Sequence, residues 1–175
     1  MPKLFILTLG KCQSRSFTAA CKMLGLRSQQ YPDDLEKAIE TCDVIAGVEL
    51  SDKYKELSKK FPSAKFLLLT REDKDWIDSF EQHDLRIKKA PKQDKIKRIR
   101  KGIFAQEKFN REVWLREKTK LENQANRFFK NKPERFLQLD PFTMNSDEKW
   151  ETLINFVEPK LLEKRPLEQE FPEIK

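Results

Sequence analysis

Residues 10–16 read Gly10-Lys11-Cys12-Gln13-Ser14-Arg15-Ser16, two cations and two hydroxyls in a short stretch behind a glycine. Where such a stretch leads from a buried strand into a helix, the unpaired N–H groups of the first turn and the helix dipole favour an anion, and Lys and Arg add charged donors. A nucleotide-triphosphate loop would read Gly, four residues, then Gly-Lys-Ser/Thr. Here the second glycine is missing and Lys11 follows Gly10 directly. Ordinary ATP or GTP hydrolysis is therefore disfavoured, and the stretch is either an anion site of another kind or a plain surface turn. A second pair lies further on: Arg71 follows an apolar run and Ser79 stands eight positions later, about two helical turns on. Both can face one phosphate.

Metal chemistry is not expected. Cys12, Cys21 and Cys42 have no metal-like spacing, and the single His83 cannot complete a zinc set. An odd number of unpaired cysteines fits reduced thiols. The N-terminus has neither a long apolar stretch nor a small-residue cleavage site, and no apolar run approaches the roughly 20 residues that span a bilayer. A cytoplasmic location is the expectation.

The candidate residues matter only if strands and helices deliver them to one place. Residues 4–9 form a nearly continuous apolar run ending at Gly10, the pattern of a strand buried on both faces. Residues 16–24 repeat apolar positions at helical spacing through Phe17, Ala20, Cys21 and Leu24, with Gly25 as a stop. Pro32-Asp33-Asp34 opens a second helix; residues 44–50 return to strand character; 51–60 are helical; 64–70 form a second buried strand; and a helix with Trp76, Ile77 and Phe80 follows Arg71. Residues 104–130 read as a long helix with Phe109, Val113, Trp114, Leu121, Ala125 and Phe128 inward, 135–140 as a strand and 147–157 as a last helix. Alternation of this kind predicts an α/β fold, a three-layer P-loop-type domain with a mostly parallel central sheet flanked by helices, over residues 1–157; residues 158–175 form an extended arm of the same domain. Such sheets bind ligands beyond the carboxyl ends of their strands, which are the loops after Leu9, Leu50 and Thr70.

With 175 residues, 38% hydrophobic and 37% charged, the chain suits one domain, and thirteen Phe and three Trp supply bulky core material against disorder. Net charge is +7, but residues 86–101 hold nine basic residues against Asp94, a local +8 that leaves −1 for the rest. Such a run suits an anionic partner or a solvated helix face. No aromatic residue interleaves it as a single-strand stacking surface would require.

Taken together, these features resemble the P-loop sulfotransferases that use 3'-phosphoadenosine-5'-phosphosulfate, PAPS, and especially their small branch. Those proteins open with a strand, then Pro-Lys-Thr-Gly-Thr-Thr-Ser-Leu and a helix ending in Leu-Gly; residues 11–17 through Leu24-Gly25 keep that spacing, and Tyr31-Pro32 follows as in the family. Residues 61–73, with Trp76 and Ser79 in register, are similar to the family signature, and residues 133–140, Trp150, Leu153, Phe156 and Phe171-Pro172 continue the likeness over nearly the whole chain. The resemblance implies that Lys11, Cys12, Gln13, Ser14, Arg15 and Ser16 hold the 5'-phosphosulfate, with Lys11 catalytic, while Arg71 and Ser79 hold the 3'-phosphate. No metal is implied.

Three positions depart from the pattern. Gln13 replaces the loop glycine and Arg15 a threonine, and where the family carries its general base this chain has Gly47. Glu49, two residues on, is the candidate base, with Asp33, Asp34 and Asp52 on neighbouring loops; His83 is expected on a helix surface. Three functions are consistent with this reading. The first is sulfuryl transfer from PAPS to a hydroxyl or amine acceptor, with residues 86–101 lining an acidic acceptor's path. The second is a degenerate sulfotransferase-like protein that binds a nucleotide or an anionic partner. The third is nucleic-acid binding through residues 86–101.

Overall fold

Four consecutive buried side chains in Leu4–Leu7 define β1, as a strand covered on both faces requires. The computed structural model describes residues 3–87, 100–102, 104–106, 108–166 and 169–174. Within these, β1 is followed by α1 (Ser14–Met23), β2 (Ser28–Gln30), α2 (Leu35–Thr41), β3 (Val44–Gly47), α3 (Leu50–Lys60), β4 (Lys65–Leu69), α4 (Asp73–Ile87), α5 (Arg111–Phe129), β5 (Phe136–Leu139) and α6 (Ser146–Val157). The described strands make one five-stranded sheet in the order β2-β3-β1-β4-β5, and every pairing is parallel. This is the three-layer α/β fold expected from the alternation.

Helices cover both faces. On one, Tyr54 of α3 meets Phe128 and Phe129 of α5, and Phe129 packs on Phe66 of β4, which stacks on Phe5 of β1. On the other, Phe171 lies between Phe17 of α1 and Trp150 of α6. Each such aromatic side chain taken from water contributes about 1.5–3 kcal/mol. Phe171 therefore anchors the C-terminal arm; its amide donates to Ser146 Oγ at 2.6 Å and the Ile174 amide to Ser16 Oγ at 3.0 Å. No helix among the described residues is long and apolar enough to cross a membrane.

Several boundaries differ from the sequence reading. β2 was not anticipated, because Ser28-Gln29-Gln30 has no apolar pattern; it forms as an edge strand by backbone pairing to β3. The strand expected over 44–50 stops at Gly47, and Leu50 already belongs to α3. α5 begins only at Arg111, where Asn110 caps it by accepting the Val113 amide. Phe104 and Phe109 reach Trp114 from ahead of the helix, and Phe129, one residue past the expected Phe128, is the one fully buried. Of the basic stretch 86–101, residues 88–99 lie outside the described residues.

Candidate active site

β1 and β4 are parallel neighbours, so the loops leaving their carboxyl ends lie side by side. The first begins at Gly10, whose φ of +91° favours glycine. A Cβ there would also come within 3.3 Å of the Phe80 ring. The Gly10 carbonyl accepts hydrogen bonds from Trp76 Nε1 at 3.0 Å and from Cys12 Sγ at 3.1 Å, while its amide donates to Thr8 Oγ1. α4 is thus docked over the loop by an indole buried completely. Lys11 and Gln13 also hold positive φ, 59° and 58°, a curled backbone that leads into the first turn of α1.

Lys11 has a crowded electrostatic environment. Burial, followed by the charges of Arg86, Arg15 and Arg100, lowers its ammonium from 10.5 to about 8. His83 stands one helical turn from Ser79 and three residues before Arg86 on α4, and it is half-buried rather than on the helix surface. Burial and the charges of Lys11, Arg100 and Arg86 lower its imidazole to about 4, against a smaller opposing effect of Asp84. Its Nδ1 is buried without a hydrogen-bond partner among the described residues. Arg100 is buried, pairs with Asp84 at 2.5 Å and lies over the Trp114 ring at 5.1 Å. The two ends of the basic stretch therefore come to the first loop, a juxtaposition that charge counting alone did not reveal.

The other expected residues are distributed as follows. Cys12 turns inward; burial pushes its thiol up to about 12, so it is no nucleophile. Gln13 Oε1 is buried without a partner among the described residues, in the loop where the family carries glycine. Ser14 is buried, and its Oγ accepts from Gln30 Nε2 at 2.8 Å. Arg15 is exposed on the first turn of α1. Ser16 Oγ faces the C-terminal arm through its bond to Ile174. Ser79 is half-buried on α4, on the same face as Trp76 and His83 by helical spacing. Arg71 leaves β4 and its guanidinium lies 4.0 Å from the centre of the Phe142 ring; its charge reaches Cys12.

Glu49 occupies the place vacated at Gly47. β3 ends there, Val48 and Glu49 form a turn, and the carboxylate folds back so that a Cβ on Gly47 would lie 2.8 Å from Glu49 Oε2. The approach comes from a turn, within the span 44–50 that the sequence pattern reads as strand. Asp34 is committed to capping α2, accepting the Lys37 amide. Asp33 and Asp52 are exposed.

Behind the loop, Lys118 of α5 is buried and donates to Asp73 at 2.5 Å and pairs with Glu122 at 3.0 Å, while Thr70 donates to Glu122. The sequence pattern does not single out this lysine, since it lies among the charged residues Glu117 and Lys120. The cavity it lines with Cys12 and Trp76 is about 10 Å³, the size of one water. Among the described residues no group of His, Cys, Asp or Glu side chains could hold a metal ion.

Fold and site define the class as parallel α/β domains with cations gathered beside the loop after the first strand. Within that class, the sulfotransferase domain model matches residues 13–175, and the chain belongs to that family. The match includes Arg71, Ser79 and Glu49 and starts two residues after Lys11. No curated protein matches the chain.

The cation cluster predicts a pH signature. His83 binds its proton less well folded, at about 4, than at its ordinary 6.5. Between these values the unfolded chain holds more protons, so stability rises with pH through this window. By the same sign, Lys11 makes stability rise between about 8 and 10.5. Because His83 is the only histidine, a proton NMR titration reads it directly. The expected midpoint is near 4, and one at or above 6.5 would contradict its placement beside Lys11.

Proposed function

We propose that this sulfotransferase-family chain moves a sulfuryl group from PAPS to a hydroxyl or amine acceptor. The observation that carries the reading is the gathering of Lys11, Arg15, Arg86 and Arg100 at the first loop, where burial first and then the neighbouring charges lower Lys11 to about 8. Cations that repel one another are stabilised by a bound anion. The buried Nε of Arg71, without a partner among the described residues, supplies a second donor close to the same loop. The residues thus suit a ligand with two separate anionic groups.

PAPS, when bound, supplies a sulfuryl group on a phosphate that can leave. Lys11, Arg15, Ser14 and the amide groups of residues 12–16 would hold the 5' end, and Arg71 with Ser79 the 3'-phosphate. In sulfuryl transfer, negative charge grows on the bridging oxygen of the departing phosphate, so the Lys11 ammonium stabilises the transition state more than the ground state. Glu49, in the turn after β3, is assigned as the acceptor of the proton from the attacking hydroxyl. His83, uncharged at neutral pH, is the alternative from the α4 side. Glu49→Gln and His83→Gln compared at one pH separate them, since only the true base gives a large loss of turnover.

Calorimetry with 3',5'-adenosine diphosphate tests the donor site. Arg71→Ala should raise its Kd about tenfold to a hundredfold, the size of one lost charged hydrogen bond, and an unchanged Kd would remove Arg71 from the site. A wild-type protein that does not bind this nucleotide at millimolar concentration would end the reading. One observation favours a second reading, a protein that binds the nucleotide without transferring from it: the Gln13 side chain inside the loop. Tight binding with no release of 3',5'-adenosine diphosphate from PAPS would select it.

A further inference from the structure

Phe142 has no place in the chemistry described so far, yet it is an exposed aromatic against Arg71. It is 42% exposed, in a single 3-10 turn, Pro141–Thr143, directly after β5. The parallel register Leu69↔Leu139 sets that turn beside the one carrying Arg71, and the Thr70 amide extends the pairing by donating to the Leu139 carbonyl at 3.0 Å. One carboxylate then joins the two turns. Asp140 Oδ1 accepts the Phe142 amide and Oδ2 accepts the Glu72 amide, both at 2.9 Å. Glu72 in turn accepts the Asp75 amide at the start of α4. The Phe142 ring and the Arg71 guanidinium are consequently held together, with Cζ 4.0 Å from the ring centre, by backbone geometry on both sides.

An arginine at the end of a strand is otherwise free to sample many rotamers, and ordering it on ligand binding opposes affinity. A guanidinium resting against a ring samples fewer rotamers, so its N–H groups are ordered for a contact with phosphate before the ligand arrives. The geometry points to Phe142 as a positioning residue for Arg71, one that orders the guanidinium in advance for the 3'-phosphate of the donor nucleotide. Asp140 locks the pair in register. The inference rests on the donor-site reading proposed above.

The test measures Kd for 3',5'-adenosine diphosphate by calorimetry, with the melting temperature of the same samples, for the wild type and for Phe142→Ala, Phe142→Leu and Phe142→Trp. The expected result is a Kd about fivefold to tenfold higher for Ala. Leu, which keeps bulk but lacks a π face, should behave like Ala, and Trp should return to within about twofold of wild type. Melting temperatures should stay close together, because a half-exposed side chain contributes little to folding. Kd unchanged in Phe142→Ala would overturn the inference while leaving the donor site standing. Rescue by Leu as good as by Trp, or affinity that merely follows a falling melting temperature, would overturn it in favour of simple packing. A wild type that does not bind the nucleotide would remove the donor site and this inference together.

Discussion

Lys11→Ala is expected to lower turnover at least about a hundredfold, the loss typical of removing one donor aimed at developing charge. Turnover is followed as 3',5'-adenosine diphosphate formed from PAPS. The size follows from where Lys11 stands. Its backbone, at φ 59°, is part of the curl that begins at Gly10, so the ammonium is carried by the loop itself. Without ligand its proton affinity is lowered to about 8, which leaves roughly nine-tenths of the population charged at pH 7. An anion beside it raises that fraction further, so the charge is present when the leaving oxygen needs it. Nucleotide affinity should change much less than turnover, because Arg15, Arg86 and Arg100 remain and lose a repelling neighbour. A Lys11→Ala protein with full turnover would contradict the assignment.

The second large effect is on stability. Trp76→Ala should cost about 3–5 kcal/mol, the range for truncating a buried tryptophan, read as a lowered midpoint in chemical denaturation. Trp76 is completely buried, meets Phe80 edge-on at 4.9 Å and donates to the Gly10 carbonyl. Its removal leaves a void and takes away the hydrogen bond that docks α4 over the loop. Trp76→Phe, which loses the N–H and two ring carbons but keeps most of the volume, should cost less, about 1–3 kcal/mol. Gly10 would still accept from Cys12. An unaltered midpoint in Trp76→Ala would show that α4 does not depend on this contact.

The local patterns that were legible share a physical basis. A strand buried on both faces is a continuous apolar run, and residues 4–9 and 64–70 have no other way to avoid water, so β1 and β4 appeared where expected. A helix that buries one face repeats at 3.6 residues, which made α1 and α6 legible to within two residues at either end. β2 was not legible, since its three polar residues join the sheet through backbone hydrogen bonds alone. Lys118 and Phe142 were not legible either. A buried lysine and an exposed one look alike in sequence, and only the carboxylates Asp73 and Glu122, 45 and four residues away, make the burial of Lys118 tolerable.

By itself the sequence determined the parallel α/β layering and the placing of Lys11 and Arg71 at strand ends, because both follow from the order of apolar runs along the chain. Tertiary structure alone decided that Arg86 and Arg100 converge on Lys11, that Glu49 turns back over Gly47 and that Ser16 faces the arm. Those outcomes depend on how helices of different length pack and where a strand stops. Coulomb forces act through space, so a charge cluster assembled from residues 11, 15, 86 and 100 becomes a site only when the fold has closed the distances.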